Sequence, residues 1–128
     1  MRLLLDTHLL LWVAANSKRV PRRAADLIDD PNNILMFSVI SLIEVAIKTA
    51  RARPEFQVDA GRLRSMLLAA GYDELEVAGD HAIALGQLDP VHKDPFDRLL
   101  LAQAIVEGAS LVTADATLAR YPGPILKV

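Results

Sequence analysis

Three short apolar runs, Leu3-Leu4-Leu5, Ile34-Leu35-Met36-Phe37 and Leu111-Val112-Thr113, are each followed by a segment with helical signals. Runs of three or four such residues are too short for a helix and suit strands buried on both faces. When strands of this kind alternate with helices, the connections become β-α-β units and the sheet becomes parallel, with helices on both faces. The chain is therefore expected to be α/β, with one central sheet of about four to five short strands. Ligands of open sheets of this type bind beyond the carboxyl ends of the strands, so the residues that leave the strands carry the functional question.

The remaining elements follow from local signals. Asp6-Thr7 supplies two helix-capping residue types ahead of a helix from His8 to Ala15. Pro21 opens a helix to Asp30, and Pro31-Asn32-Asn33 closes it. From Ser41 the positions Leu42, Val45, Ala46 and Thr49 predict a helix to about Ala52, and Pro54 breaks it. Asp59 caps a further helix that ends at Gly71, Tyr72 to Val77 reads as a third strand, and Gly79 or Asp80 starts a short helix through Leu85. Leu88 to Lys93 reads as loop, after which Asp94-Pro95 provides a cap and a first-turn proline for a helix from Phe96 to Glu107 closed by Gly108. Ser110 to Thr113, a short helix from Asp115 to Ala119, and a last strand from Ile125 to Val128 complete the order.

With 128 residues the expectation is one domain spanning 1–128. The composition is 52% apolar but only 5% aromatic, which makes the core aliphatic. There is no cysteine, which excludes disulfides and cysteine-based zinc sites and suits a cytoplasmic protein. Asp6 and His8 interrupt the N-terminal apolar run, so it is not expected to act as a signal peptide. No stretch approaches the roughly 18 apolar residues of a membrane span. The net charge of −2 argues mildly against a nucleic-acid binder, but the distribution is uneven. Residues 1–72 hold ten Lys or Arg against seven acids, and residues 73–128 hold four against nine. A basic face beside an acidic pocket suits a protein that steers phosphates toward metal ions, although solvated helix faces give the same pattern.

Four acids stand where strands hand over to helices, or at the start of a helix: Asp6, Glu44, Asp97 and Asp115. Each has a plain alternative. Asp6 and Asp115 read equally as helix caps, Glu44 completes an apparent capping box in Ser41-Leu42-Ile43-Glu44, and Asp97 favours a helix dipole behind the cap Asp94. These alternatives do not require the acids to share one edge of the sheet, which the order of elements allows. Converging carboxylates repel one another unless divalent cations neutralise them. Oxygen donors of this kind select hard ions such as Mg²⁺ or Mn²⁺, whose chemistry is metal-assisted phosphodiester hydrolysis. There is no Gly-rich phosphate loop and no nucleophile elbow, which is consistent with that chemistry.

At these residues the sequence resembles a known family. Asp6-Thr7-His8-Leu9-Leu10-Leu11-Trp12, Ser38-Val39-Ile40-Ser41-Leu42-Ile43-Glu44-Val45-Ala46-Ile47-Lys48, Asp94-Pro95-Phe96-Asp97-Arg98-Leu99-Leu100-Leu101-Ala102-Gln103-Ala104 and Leu111-Val112-Thr113-Ala114-Asp115 are similar to the motifs of PIN domains, specifically VapC-type toxins. The resemblance implies a PIN fold, Mg²⁺- or Mn²⁺-dependent endoribonuclease activity, a homodimer, and neutralisation by a small antitoxin that enters the groove. It puts the acidic quartet on Asp6, Glu44, Asp97 and Asp115, with Thr7 and Thr113 as supporting hydroxyls and Asp94 as a cap first and site member second. His8 and Asp115 both stand where many PIN domains have asparagine, and neither departure removes a proposed ligand.

RNA contacts are expected from Arg98, Lys48 and Arg51, together with Lys18, Arg19, Arg22, Arg23 and Arg53. His8, His81 and His92 lack zinc-motif spacing and are assigned ordinary structural roles, and Trp12 is assigned to the core. Two alternatives remain open: a receiver-like Mg²⁺-binding module, and a PIN-like domain that binds without cutting.

Overall fold

The computed structural model describes residues 1–52, 54 and 57–128; the candidate phosphate contact Arg53 lies outside them. Five parallel strands, β1 (Arg2–Leu5), β2 (Ile34–Ser38), β3 (Asp73–Leu75), β4 (Ser110–Thr113) and β5 (Ile125–Lys127), form one sheet in the order β3-β2-β1-β4-β5. The chain therefore builds outward from β1 to β3, crosses back, and adds β4 and β5 on the other side of β1. The strand order reverses at β1 and β4, where Leu5 pairs with Val112. The fold class expected from the alternation is the one observed, with β3 shortened to three residues of the six expected.

Strand alternation divides the core in two. Leu3 and Leu5 point to one face, with Phe37, Val112, and residues of helices α1 (Thr7–Ala14), α3 (Val39–Ala50) and α4 (Ala60–Ala69). Leu4 points to the other, with Met36, Leu111, and Leu100, Leu101 and Ala104 of helix α6 (Pro95–Glu107). Side chains three and four apart on α6 share a face, which is why this set covers the sheet. Helix α2 (Arg22–Asp29) packs through Ala24 on the first face, and α5 (Gly79–Leu85) packs on α6. Ser38 at the end of β2 donates to the Gln103 side chain, and both are fully buried, which ties α6 to the sheet.

Helix starts decide where the acids sit. Asp6, still extended at φ −72° and ψ 167°, caps α1 itself by accepting from Leu9 N, so the helix begins at Thr7. Helix α3 begins at Val39, two residues earlier than the apolar spacing suggests, because Ser38 accepts from Ile40 N at 3.0 Å. The apparent capping box at Ser41 to Glu44 is therefore not formed, and Glu44 lies in the second turn of α3 with a side chain free of any capping duty. Asp94 caps α6 as expected, and Gly108 ends it at φ 64°, a left-handed conformation that costs glycine little. The helix expected from Asp115 to Ala119 is a 3₁₀ turn, Leu118–Arg120.

Candidate metal centre

The carboxyl edge of the sheet collects the acids. Asp6 follows β1 directly, and its backbone N–H donates to Val112 O at 3.0 Å, extending the β1–β4 register by one residue. That register puts Asp6 beside Thr113, the last residue of β4, whose hydroxyl donates to Asp6 Oδ2 at 2.5 Å. Asp6 Oδ1 accepts from Leu9 N, so each oxygen of this buried carboxylate has a protein donor. Thr113 Oγ1 also accepts from Asp115 N at 3.0 Å, which fixes the first residues beyond β4. Asp115 caps the following turn with Oδ1, accepting from Thr117 N and Leu118 N, and leaves Oδ2 to the site.

Capping and site membership are thus compatible, because a carboxylate has two oxygens and several lone pairs. Asp6, Asp94 and Asp115 cap; Asp97 and Glu44 do not. Asp94 Oδ1 accepts from Phe96 N at 2.9 Å and from Asp97 N at 3.5 Å, so Asp97 is held by the cap rather than acting as one. Glu44 is buried, its Oε2 lies 2.5 Å from Lys48 Nζ, and its Oε1 is buried without a hydrogen-bond partner among the described residues. A buried oxygen left in that state costs on the order of 1–3 kcal/mol, which a cation would recover.

Electrostatics places the four acids in one cluster. Burial pushes the Asp97 carboxyl up to about 8, and the charges of Asp94, Asp6, Glu44 and Asp115 add to the rise. Burial likewise raises Asp6, partly offset by its hydrogen bonds from Thr113 and Leu9. Four oxygen donors from four elements, one with an unpartnered buried oxygen and one raised by burial and then by its neighbours' charges, fit a hard divalent cation such as Mg²⁺ or Mn²⁺.

The candidate supporting groups separate. Thr113 touches Asp6 directly, whereas Thr7 donates to Ser41 Oγ at 2.9 Å and links α1 to α3. Lys48 is engaged by Glu44 and lies 5.8 Å from the centre of the Phe96 ring. Arg98 is partly buried beside Asp97; its Nε has no partner among the described residues and its Nη2 reaches Leu88 O at 3.5 Å. Arg51 ends α3, about 10 Å along the helix from Glu44 at 1.5 Å per residue, and does not join the acids. Lys18, Arg19, Arg22 and Arg23 are exposed, and Arg23 donates to Lys127 O.

Two residues differ from expectation. His92 belongs to the site: its Nε2 lies 3.0 Å from Asp97 Oδ2 and 3.6 Å from Asp115 Oδ2. The only sequence signal was its position two residues ahead of Asp94, in a segment read as loop. Trp12 packs on the core but also lines, with Asp6, His8, Ala114 and Asp115, a cavity of about 240 Å³ open to the acids. Its ring is tilted 57° against that of His8, at 6.3 Å. His81 is structural as expected, buried with Nε2 at 2.9 Å from Glu107 Oε2 and Nδ1 accepting from Ala78 N.

Among solved structures, the fold is similar to VapBC2 from Rickettsia felis bound to a DNA fragment from its promoter, with TM-score 0.74, 18% identity, and coverage of 100% of this chain and 99% of that chain. It is also similar to DNA-bound VapBC from Salmonella typhimurium, with TM-score 0.68, 20% identity and coverage of 99% and 98%. A toxin-antitoxin complex from Klebsiella pneumoniae gives TM-score 0.64, 22% identity and coverage of 97% and 95%. No curated protein matches the sequence. The sequence matches the PIN domain over residues 3–124, a span that contains all four clustered acids and the β1–β4 register that joins two of them, and the chain belongs to the PIN-domain family.

Proposed function

We propose that this chain is a metal-dependent endoribonuclease, the toxin of a toxin-antitoxin pair, acting as one domain over residues 1–128. The observation that carries the reading is the convergence of Asp6, Glu44, Asp97 and Asp115, in which Asp97 is raised to about 8. A cluster so unfavourable to its own ionisation is suited to holding Mg²⁺ or Mn²⁺. When bound, the ion supplies the charge that polarises a phosphodiester oxygen and acidifies an attacking water.

The protein's own residues do the rest. Thr113 orients Asp6 by donating to Oδ2 and so leaves the other lone pairs of that carboxylate toward the cluster. Asp97, raised by burial and by the neighbouring acids, would hold the ion as its carboxylate. Arg98, with a buried guanidinium nitrogen lacking a partner among the described residues, and Lys48, once drawn from Glu44, serve as phosphate contacts beside the acids; Arg51 would extend that surface. An antitoxin and a second copy of the chain are the proposed partners, in keeping with the toxin–antitoxin complexes among its structural neighbours. No helix of the described residues is long and apolar enough to cross a membrane, and a cytoplasmic location is proposed together with the RNA substrate.

The test is cleavage of a mixed RNA by purified protein with Mg²⁺ or Mn²⁺. EDTA is expected to stop it, and Asp6→Asn and Asp97→Asn are each expected to stop it while the domain stays folded by circular dichroism. Full activity in both variants would overturn the site.

A further inference from the structure

His92 is bound at three points, and each constrains its ring. Its backbone N–H donates to the Tyr121 hydroxyl at 2.9 Å, and that hydroxyl donates back to His92 O at 3.3 Å. Tyr121 is itself buried in the α6 side of the core. On the ring, Nδ1 accepts from Asp94 N at 3.2 Å. A neutral imidazole has one donor and one acceptor nitrogen, so an accepting Nδ1 leaves the proton on Nε2. Nε2 is buried 3.0 Å from Asp97 Oδ2 and 3.6 Å from Asp115 Oδ2, with neither oxygen in line for a full hydrogen bond. It is therefore an N–H placed between two carboxylates.

The same geometry disfavours His92 as a metal ligand. Ligation through Nε2 requires the proton to move to Nδ1, where it would face the N–H of Asp94. Because Asp94 is also the cap of α6, its backbone has little freedom to turn away.

We propose that His92 is a positioning residue of the acidic site: pinned by Tyr121 and Asp94, its Nε2–H restrains Asp97 and Asp115 at one separation for the cation, and the imidazole does not ligate. The inference rests on the metal-site reading given above. Groups that orient metal-binding side chains typically change ion affinity by about 10- to 100-fold when removed. His92 is expected to act in that range, and Tyr121 more weakly through it.

The experiment measures Mg²⁺ and Mn²⁺ binding by calorimetry without RNA, for the wild type and for His92→Ala, His92→Gln and Tyr121→Phe, and reads the imidazole tautomer by ¹⁵N NMR with and without Mg²⁺. The expected result is an Nε2–H tautomer in both states and an affinity lowered about 10-fold or more in His92→Ala, equally for the two ions. Gln is expected to restore most of it through its amide N–H, and Phe to give a smaller loss. A switch to the Nδ1–H tautomer on adding Mg²⁺ would make His92 a ligand and overturn the proposal, as would unchanged affinity in His92→Ala. Intact ion binding that responds to His92 as described, but with no RNA cleavage, would instead sink the nuclease reading and leave this inference standing.

Discussion

Replacing Asp97 by Asn should free the metal-free domain from a pH-dependent instability that the acidic cluster imposes. The Asp97 carboxyl sits at about 8 in the fold, against an ordinary value of 3.8. A raised acid holds its proton in the folded state after the unfolded chain has released it, so stability falls as pH rises between those two values and is lowest above the upper one. The slope approaches about 1.4 kcal/mol per pH unit, so about 3 kcal/mol is lost between about pH 5 and pH 7. For a domain of this size that corresponds to a melting temperature lower by roughly 10 °C. Asp6, raised in the same direction, contributes a slope of the same sign. Urea unfolding in EDTA across this range should show the slope in the wild type and a clearly shallower one in Asp97→Asn, with the variant the more stable protein at neutral pH. Saturating Mg²⁺ should close most of that gap: an ion at about 100 times its dissociation constant stabilises by about 2.7 kcal/mol, and only the wild type should gain it. Equal slopes in EDTA, or equal stabilisation of both proteins by Mg²⁺, would refute the reasoning.

Thr113→Val keeps the shape of the side chain but removes the donor to Asp6 and the acceptor for Asp115 N; thermal melts should show a loss of about 1–3 kcal/mol, and RNA cleavage should fall with it. Glu44→Gln should leave the fold within about 1 kcal/mol of the wild type by urea unfolding, since Ser38 rather than Ser41 caps α3. The same variant should lose Mg²⁺ affinity in calorimetry, and unaltered affinity would remove Glu44 from the site.

The parallel sheet, its helices and the positions of Asp6, Asp97 and Asp115 at element boundaries were legible in the sequence because each rests on short-range signals. Leu3 to Leu5 reads as a strand from its own composition, and Asp94-Pro95 announces α6 from its own chemistry. The start of α3 was misplaced because Ser38 and Ser41 are both competent caps; Ser38 wins as the last residue of β2, where the backbone is still extended. That choice frees Glu44, and nothing in the spacing Ser41 to Glu44 could reveal it.

Which carboxylates lie near one another was decided only by the tertiary structure. Asp6 meets Thr113 across 107 positions of chain because β1 and β4 pair in one register, and a slip of one residue would turn Thr113 away. His92 was unreadable for a related reason. Its place between Asp97 and Asp115 comes from the Asp94 backbone on its ring and from Tyr121, 29 residues away, on its peptide. Local sequence determined which residues leave the strands as acids. Long-range pairing determined which of them feel one another's charge, because Coulomb interactions depend on distance through space and not along the chain.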